Sequence, residues 1–274
     1  MRDMQREIIA EMGVRPTIDA AEEVSRRVTF LQEYLRAAHA GGLVLGISGG
    51  LDSTLAGRLS QLAVEGLREQ GHDVDFVAVR LPYGTQVDEE DAQAALDFIR
   101  PRTSVTFNIQ AAVDGVSTEF ATATGREISD FNRGNVKARL RMVAQYALAG
   151  ERNLLVVGTD HGAESVVGFF TKFGDGGADV LPLYGLDKEQ NRELLRHLGA
   201  GERLWSKAPT ADLLDQSPGR EDEEELGLSY TDVDAYLEGR EVPAPVAEAL
   251  EEKFRQSRHK RTTPATIFDT WWRN

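Results

Sequence analysis

The chain carries 274 residues with no cysteine and 45 acidic against 31 basic side chains, a net charge of −14. That balance excludes a general nucleic-acid surface, which needs a basic footprint, and the absence of thiols excludes disulfides, cysteine-zinc sites and thiolate nucleophiles together. No apolar run nears the roughly 20 residues that span a bilayer, and the opening Met-Arg-Asp-Met-Gln-Arg-Glu holds no signal-peptide hydrophobic region, so a soluble cytoplasmic protein without membrane contact is expected.

The first long helix is predicted to begin near Asp19 and stop at Gly41-Gly42, with Val24, Val28, Leu31, Leu35 and Ala38 at helical spacing on the face turned to the core. Phe30 and Tyr34, four apart on another face, fit either a subunit interface or ordinary packing within the chain. Short apolar strands are expected over 43–47, 76–81, 105–108 and 154–157, with helices over 89–99, 110–123, 134–148 and 188–198. Leu55, Leu59, Leu62 and Ala63 supply the buried face of the helix after the first strand, and Gly71 ends it. In the helix over 134–148, Val136, Leu140, Val143 and Ala147 make the expected buried stripe, with Arg139 at its flank and Lys137 pointing away. Alternation of this kind predicts an α/β fold: a doubly wound, Rossmann-like open parallel sheet with helices on both faces. No internal repeat or Pro/Ser-rich linker divides the chain, which favours one domain over residues 1–274. Two stretches have the composition of lids, 82–86 and 206–227; within the second, the acidic run Glu221, Asp222, Glu223, Glu224 and Glu225 is read as a solvated loop rather than a metal site.

Between the first strand and the helix after it stands Gly46-Ile47-Ser48-Gly49-Gly50-Leu51-Asp52-Ser53. Small residues let backbone N–H groups turn inward, the helix N-terminus adds partial positive charge, and Ser48 and Ser53 bring hydroxyl donors, a combination suited to nucleotide phosphates. Asp52 does not fit a pure anion cradle. A carboxylate beside phosphates needs a divalent cation between them, so Asp52 is read as a Mg2+ ligand. No Walker A pattern, Gly-x-x-x-x-Gly-Lys-Ser/Thr, occurs in the chain, and the kinase and GTPase readings lose ground. Ser-Gly-Gly-x-Asp-Ser after a buried strand is similar instead to the pyrophosphatase loop of synthetases that release pyrophosphate from ATP while AMP passes to the acceptor.

Ligands of such sheets collect at the carboxyl ends of the strands. After the fourth strand the chain reads Gly158-Thr159-Asp160-His161-Gly162-Ala163-Glu164-Ser165. Thr159 can reach a phosphate or sugar; Glu164 either joins Asp52 on a cation or is a surface acid at a helix start. The run from Gly168 to Gly177 combines three phenylalanines, Lys172 and four glycines, a poor core element and a plausible pocket wall, which makes Lys172 and Asp179 candidate ligand contacts. Arg139 either snorkels or binds an anion.

Taken together these segments resemble ammonia-dependent NAD+ synthetase over most of the chain. The resemblance rests on the loop at 46–53, Arg-Gly-Asn-Val-Lys-Ala-Arg at 133, Gly-Thr-Asp-His-Gly-Ala-Glu-Ser at 158 and Phe-Phe-Thr-Lys-Phe-Gly-Asp-Gly at 169. It extends through Pro-Leu-Tyr-Gly-Leu-Asp-Lys at 182, Ala-Pro-Thr-Ala-Asp-Leu at 208 and Ser-Arg-His-Lys-Arg at 257. It implies amidation of nicotinic acid adenine dinucleotide in a homodimer: ATP adenylates the carboxylate, pyrophosphate leaves, and ammonia displaces AMP. Gly46, Ile47, Ser48, Gly49, Gly50, Leu51, Asp52 and Ser53 would then hold ATP together with Thr159, Lys188 and Thr210, while Asp52 and Glu164 would carry Mg2+. Arg139, Lys172, Asp179, His259 and Lys260 would contact the dinucleotide. Asp52, Lys188 and Asp175 are the expected catalytic groups, Asp175 as an acid that assists deprotonation of ammonium. Asp187 departs from the pattern, since a neutral or hydroxyl residue is expected before the ATP lysine, and Asn132 is unusual in its motif.

The same loop serves GMP synthetase, argininosuccinate synthetase and tRNA-modifying enzymes, but thiolation chemistry relies on cysteines and tRNA on a basic surface. Glutamine-dependent amidation would need a nucleophilic cysteine in a glutaminase unit, so free ammonia is the expected nitrogen donor. A non-enzymatic nucleotide-binding module of the universal-stress type shares the architecture but leaves the blocks after residue 129 unexplained.

Overall fold

The computed structural model of the protein describes residues 1–84, 89–207 and 222–273. In chain order its elements are α1 (Asp3–Met12), α2 (Ala20–Ala37), β1 (Gly42–Gly46), α3 (Leu51–Glu69), β2 (Asp75–Arg80), α4 (Glu89–Ile99) and β3 (Thr103–Thr106). Then follow α5 (Gln110–Thr124), α6 (Asp130–Arg152), β4 (Leu154–Val156), α7 (Gly162–Val167), α8 (Lys188–His197) and α9 (Glu202–Ser206). The chain closes with α10 (Asp222–Leu226), α11 (Tyr230–Leu237), α12 (Ala244–Gln256) and α13 (Arg258–Arg261). No helix among the described residues is long and apolar enough to cross a membrane.

The four strands form one parallel sheet in the order β3-β2-β1-β4. Strand order advances one way from β1 to β3; α5 and α6 then carry the chain back across to place β4 on the other side of β1. The gap between the carboxyl ends of β1 and β4 is therefore the switch point at which such sheets bind ligands. A bridge between Val157 and Val180 continues the sheet past β4. Side-chain alternation along the strands feeds two cores: Leu43, Leu45, Phe76 and Ala78 face the layer of α2, α3 and α4, while Val44, Val77 and Val79 face the layer of α5 and α6. Helices on both faces of a parallel sheet agree with the sequence pattern.

A third core, built from Ile8, Met12, Val166, Val233, Tyr236, Leu250 and Phe254, gathers α1, α7, α11 and α12 beside the sheet. The periodicity reading did not anticipate this layer, whose helices are short and draw their apolar partners from the two ends of the chain.

Two expectations are corrected. In α6 the buried residues are Gly134, Lys137, Ala138, Ala144 and Ala149, whereas Val143 is 52% exposed. Lys137 does not point away but is buried, its ammonium 4.6 Å from the centroid of the Tyr83 ring. Of the expected apolar stripe, Val136 and Leu140 do pack against the core, whereas Val143 and Ala147 are exposed. In this helix small residues make the close contact with the sheet, and Phe131, Val143 and Tyr146, with Val116 and Phe120 of α5, stay on the surface. The acidic run is also not wholly solvated: Asp222 is buried at the start of α10, and Glu223 accepts the Tyr230 backbone N–H at 2.7 Å. Glu221 lies outside the described residues, as do 85–86 and 208–221 of the two expected lids.

Candidate functional site

β1 delivers the chain at Gly46, whose N–H donates to Gln145 Oε1 of α6 at 2.7 Å, and the Ile47 N–H donates to the Val79 carbonyl at 2.8 Å. The loop thus leaves the sheet from a fixed point. Gly49 turns with φ +87°, and a Cβ there would stand 2.6 Å from backbone atoms of Asp91 and Ala92 at the start of α4. Only glycine fits this turn, which brings the loop against α4. Gly50 is the N-cap of α3 and offers no side-chain cap, so the first N–H groups of a 19-residue helix face the loop without a capping side chain. Ser48 and Ser53 pair through their hydroxyls at 3.0 Å, and Ser53 Oγ also donates to the Gly50 carbonyl at 3.1 Å. Both hydroxyls therefore lie within the concave side of the loop.

From the first turn of α3, Asp52 reaches across the switch point to Lys188 at the start of α8. The Lys188 ammonium donates to Asp52 Oδ2 at 2.8 Å and to Glu164 Oε1 of α7 at 3.1 Å, and lies 3.3 Å from His161 Nε2. Lys188 is 1% exposed, and its Nζ also lies 4.7 Å from the Tyr230 ring centroid. Asn191, one turn along α8, donates to Asp52 Oδ1 at 2.9 Å. Burial pushes the Glu164 carboxyl up, but His161 and Lys188 outweigh it and hold it down at about 2. For Lys188 burial works against the charge, and Asp52 and Glu164 outweigh that in turn, so the ammonium stays protonated.

Asp52, Glu164 and His161 bring ligand atoms within 4.8 Å of one another. Two carboxylates from different elements form an oxygen donor set that suits a hard divalent cation, and the residues fit such an ion.

The fold and site compare with known proteins as follows. Residues 23–264 match the family model described as NAD synthase. An NH(3)-dependent NAD(+) synthetase of Leifsonia xyli subsp. xyli is 62% identical over 99% of this chain and 98% of its own length. The chain belongs to the NAD synthase family. Among solved structures, NAD+ synthetase from Burkholderia pseudomallei superposes with a TM-score of 0.83 at 48% identity, covering 96% of this chain and 99% of that one. NMN synthetase from Francisella tularensis gives a TM-score of 0.80 at 33% identity, covering 92% and 100%.

Within this NAD synthase the remaining sequence-derived residues fall into two groups. Thr159 follows β4 beside the loop at the switch point, half-buried. Asp179 accepts the Val156 N–H at 2.7 Å and the Tyr146 hydroxyl at 3.1 Å, fastening the loop after α7 to the end of β4. Arg139 is exposed and donates to the Lys172 carbonyl at 3.4 Å, while Lys172 donates to the His259 carbonyl and Lys260 to the Gly168 and Phe170 carbonyls, both at 2.8 Å. These basic groups surround one loop, 168–177, which follows directly on α7 and whose Asp175 feels the Glu164 carboxylate of the Lys188 cluster. Asp175, an exposed residue, caps that loop by accepting the Thr171 N–H at 3.0 Å, and crowding by protein atoms with the nearby Glu164 carboxylate pushes its carboxyl up to about 6. Thr210 lies outside the described residues.

Sequence reasoning assigned no part to His161, Asn191 or Asp234. The first two had a signal: His161 and Glu164, and Lys188 and Asn191, are each three apart on one helix-forming stretch, so each pair shares a face. Asp234 had none, because its partners are backbone N–H groups of α8, 46 positions away for Lys188. Asp187, the departure from the family pattern, is the N-cap of α8: its side chain accepts the Gln190 N–H at 2.8 Å in a capping box.

Proposed function

We propose that the protein converts nicotinic acid adenine dinucleotide, ATP and ammonia to NAD+, AMP and pyrophosphate, the last step of NAD+ biosynthesis. The observation that carries this reading is the convergence of the uncapped N-terminus of α3 with Asp52, Glu164 and Lys188 at the switch point, in a chain 62% identical to an NH(3)-dependent NAD(+) synthetase. A carboxylate resists ammonia because oxide is a poor leaving group; adenylation replaces oxide with AMP. No covalent enzyme intermediate is needed, so catalysis is alignment of the carboxylate with the α-phosphorus plus charge neutralisation. Ser48, Gly50, Ser53 and the α3 N–H groups would hold the pyrophosphate oxygens, Thr159 and Thr210 would contact ATP, and Lys188 would meet the phosphate charge. Asp52 and Glu164 would hold Mg2+, which when bound neutralises phosphate charge. Arg139, Lys172, Asp179, His259 and Lys260 line the proposed dinucleotide side. Asp175, whose carboxyl is pushed up to about 6, would take a proton from ammonium.

We read residues 1–274 as one ATP-pyrophosphatase-type unit working in the cytoplasm as a homodimer. The dimer is supported by the uncovered apolar faces of α5 and α6, with Phe131 63% exposed.

The test follows NAD+, AMP and pyrophosphate together in purified protein supplied with nicotinic acid adenine dinucleotide, ATP, Mg2+ and ammonium. Equimolar appearance of all three is expected, and ADP in place of AMP would refute adenylation. Nicotinic acid mononucleotide in a parallel arm distinguishes the chemistry named for the Francisella tularensis relative. Turnover of the mononucleotide in preference to the dinucleotide would reassign the substrate.

A further inference from the structure

Two of the three N–H donors of the Lys188 ammonium meet carboxylate oxygens, Asp52 Oδ2 at 2.8 Å and Glu164 Oε1 at 3.1 Å, and Nζ lies 3.3 Å from His161 Nε2. His161 Nε2 is itself 3.3 Å from Glu164 Oε1 and 3.5 Å from Asp52 Oδ1, so the two carboxylates and the imidazole close into a nest around the ammonium. Two members of that nest are the carboxylates that the proposed function gives to Mg2+. The nest is closed on its inner side, where His161 is fully buried, Lys188 is 1% exposed and the Tyr230 ring covers Nζ, while the Asp52 and Glu164 side chains stay 18% and 16% exposed. A divalent ion bound to Asp52 and Glu164 would take the oxygens that now accept from Nζ, and at contact distance it would repel the ammonium left beside it. Lys188 is also the group expected to meet the nucleotide phosphates, and its long side chain needs only to swing from the nest toward the N-terminus of α3 to do so.

We propose that the Lys188 ammonium and the divalent cation are alternative occupants of the Asp52–Glu164–His161 nest, so that metal enters only when nucleotide phosphates draw Lys188 out. The proposal rests on the reading of Asp52 and Glu164 as metal ligands. It explains why the side chain that is to neutralise phosphate is stored on two carboxylates. Without nucleotide Lys188 balances their charge; with nucleotide it exchanges one anionic partner for another while the metal takes its former place. The imidazole of His161 gives the nest a second consequence. Once vacated, it offers two carboxylates and one nitrogen, a set that takes Mn2+ more readily than Mg2+.

The experiment titrates the full-length protein with Mn2+ alone, free of nucleotide, and follows bound ion by electron paramagnetic resonance. Wild type and Lys188→Arg, which keeps a cation in the nest, should bind Mn2+ weakly. Lys188→Met should bind it about tenfold or more tightly, since the nest then holds carboxylates with no internal cation. Lys188→Gln serves as the second neutral variant if Lys188→Met does not fold, and adding Asp52→Asn to either should abolish the gain. Neutral variants no tighter than wild type would overturn the proposal, as would a gain that survives loss of Asp52. The metal reading itself is tested separately with Mn2+ and ATP together: if Asp52→Asn binds the metal–nucleotide pair as wild type does, that reading fails whatever Lys188 does.

Discussion

Gly49 and Gly50 are neighbours with opposite tolerance. A Cβ at Gly49 stands 2.6 Å from backbone atoms of α4 at a positive φ, whereas one at Gly50, with φ −76°, meets only the flexible Ser48 Oγ at 3.3 Å. Gly49→Ala should therefore cost about 1–3 kcal/mol of stability and raise the KM for ATP, because the loop must move away from α4. Gly50→Ala should leave the melting temperature within a few degrees of wild type. Thermal denaturation of the two variants side by side decides the point, and equal losses would show that the turn is not the constraint. At Lys188, replacement by methionine removes the ammonium that donates to both Asp52 and Glu164, and kcat should fall by about 10²–10³-fold. Asp175→Asn separates the proton acceptor from mere loop capping. The amide oxygen can still accept the Thr171 N–H but takes no proton, so the KM for ammonium should rise at pH 7 and the difference should shrink as pH increases; unchanged ammonium dependence would remove Asp175 from the chemistry.

At the scale of elements, α8 matters most, since it carries Lys188 at its first position. Asp234 of α11 accepts the Lys188 N–H at 3.1 Å with one oxygen and the Glu189 N–H at 3.0 Å with the other. Asp187 caps the next free N–H, so two buried carboxylates fix the start of the helix and with it the root of the lysine side chain. Asp234→Ala should cost about 1–2 kcal/mol and lower kcat more than it changes the KM for the dinucleotide, because it unseats Lys188 alone. The parts that could be read from the sequence were those whose physics is local. Strand β1, the Gly-rich turn and the start of α3 lie within a dozen residues, and the Lys188 position came with its flanking motif. What escaped was settled by distant chain. On α6 the periodicity finds Val136 and Leu140 on the core but not the exposure of Val143 and Ala147, because it reports an apolar side without saying what covers it. Asp234 goes without a role in the sequence and Asp222 reads there as solvated, because a carboxylate's role is decided by which backbone or cation it meets after folding.

For the whole molecule, one consequence concerns assembly and another concerns acid. The uncovered side chains of α5 and α6 make a Phe131→Asp, Val143→Asp double variant the test of the homodimer: it should sediment as a monomer where wild type is a dimer, and an unchanged distribution would place the interface elsewhere. The acid response follows from buried carboxyls. Burial pushes Asp160 and Asp187 up to about 7, Asp187 also by its neighbour Asp234, and burial pushes Asp234 to about 6. The folded chain keeps these protons at a pH where the unfolded chain has released them. Between the ordinary carboxylate range and pH 7 the unfolded state therefore binds fewer protons, and stability must fall as pH rises through that window. Glu164 has the opposite sign: held at about 2, it contributes stability above the ordinary carboxylate range that is lost as pH falls toward 2. The two effects enclose a maximum near pH 4, and the melting temperature should drop by roughly 5 °C or more between pH 5 and pH 7.5. Asp160→Asn, which removes one titrating group while leaving an acceptor for the Ser165 hydroxyl, should flatten that slope. A melting temperature that rises from pH 5 to pH 7.5 would mean that these carboxyls are ionised in the folded chain, and that cations near them, Lys188 first among them, compensate their burial.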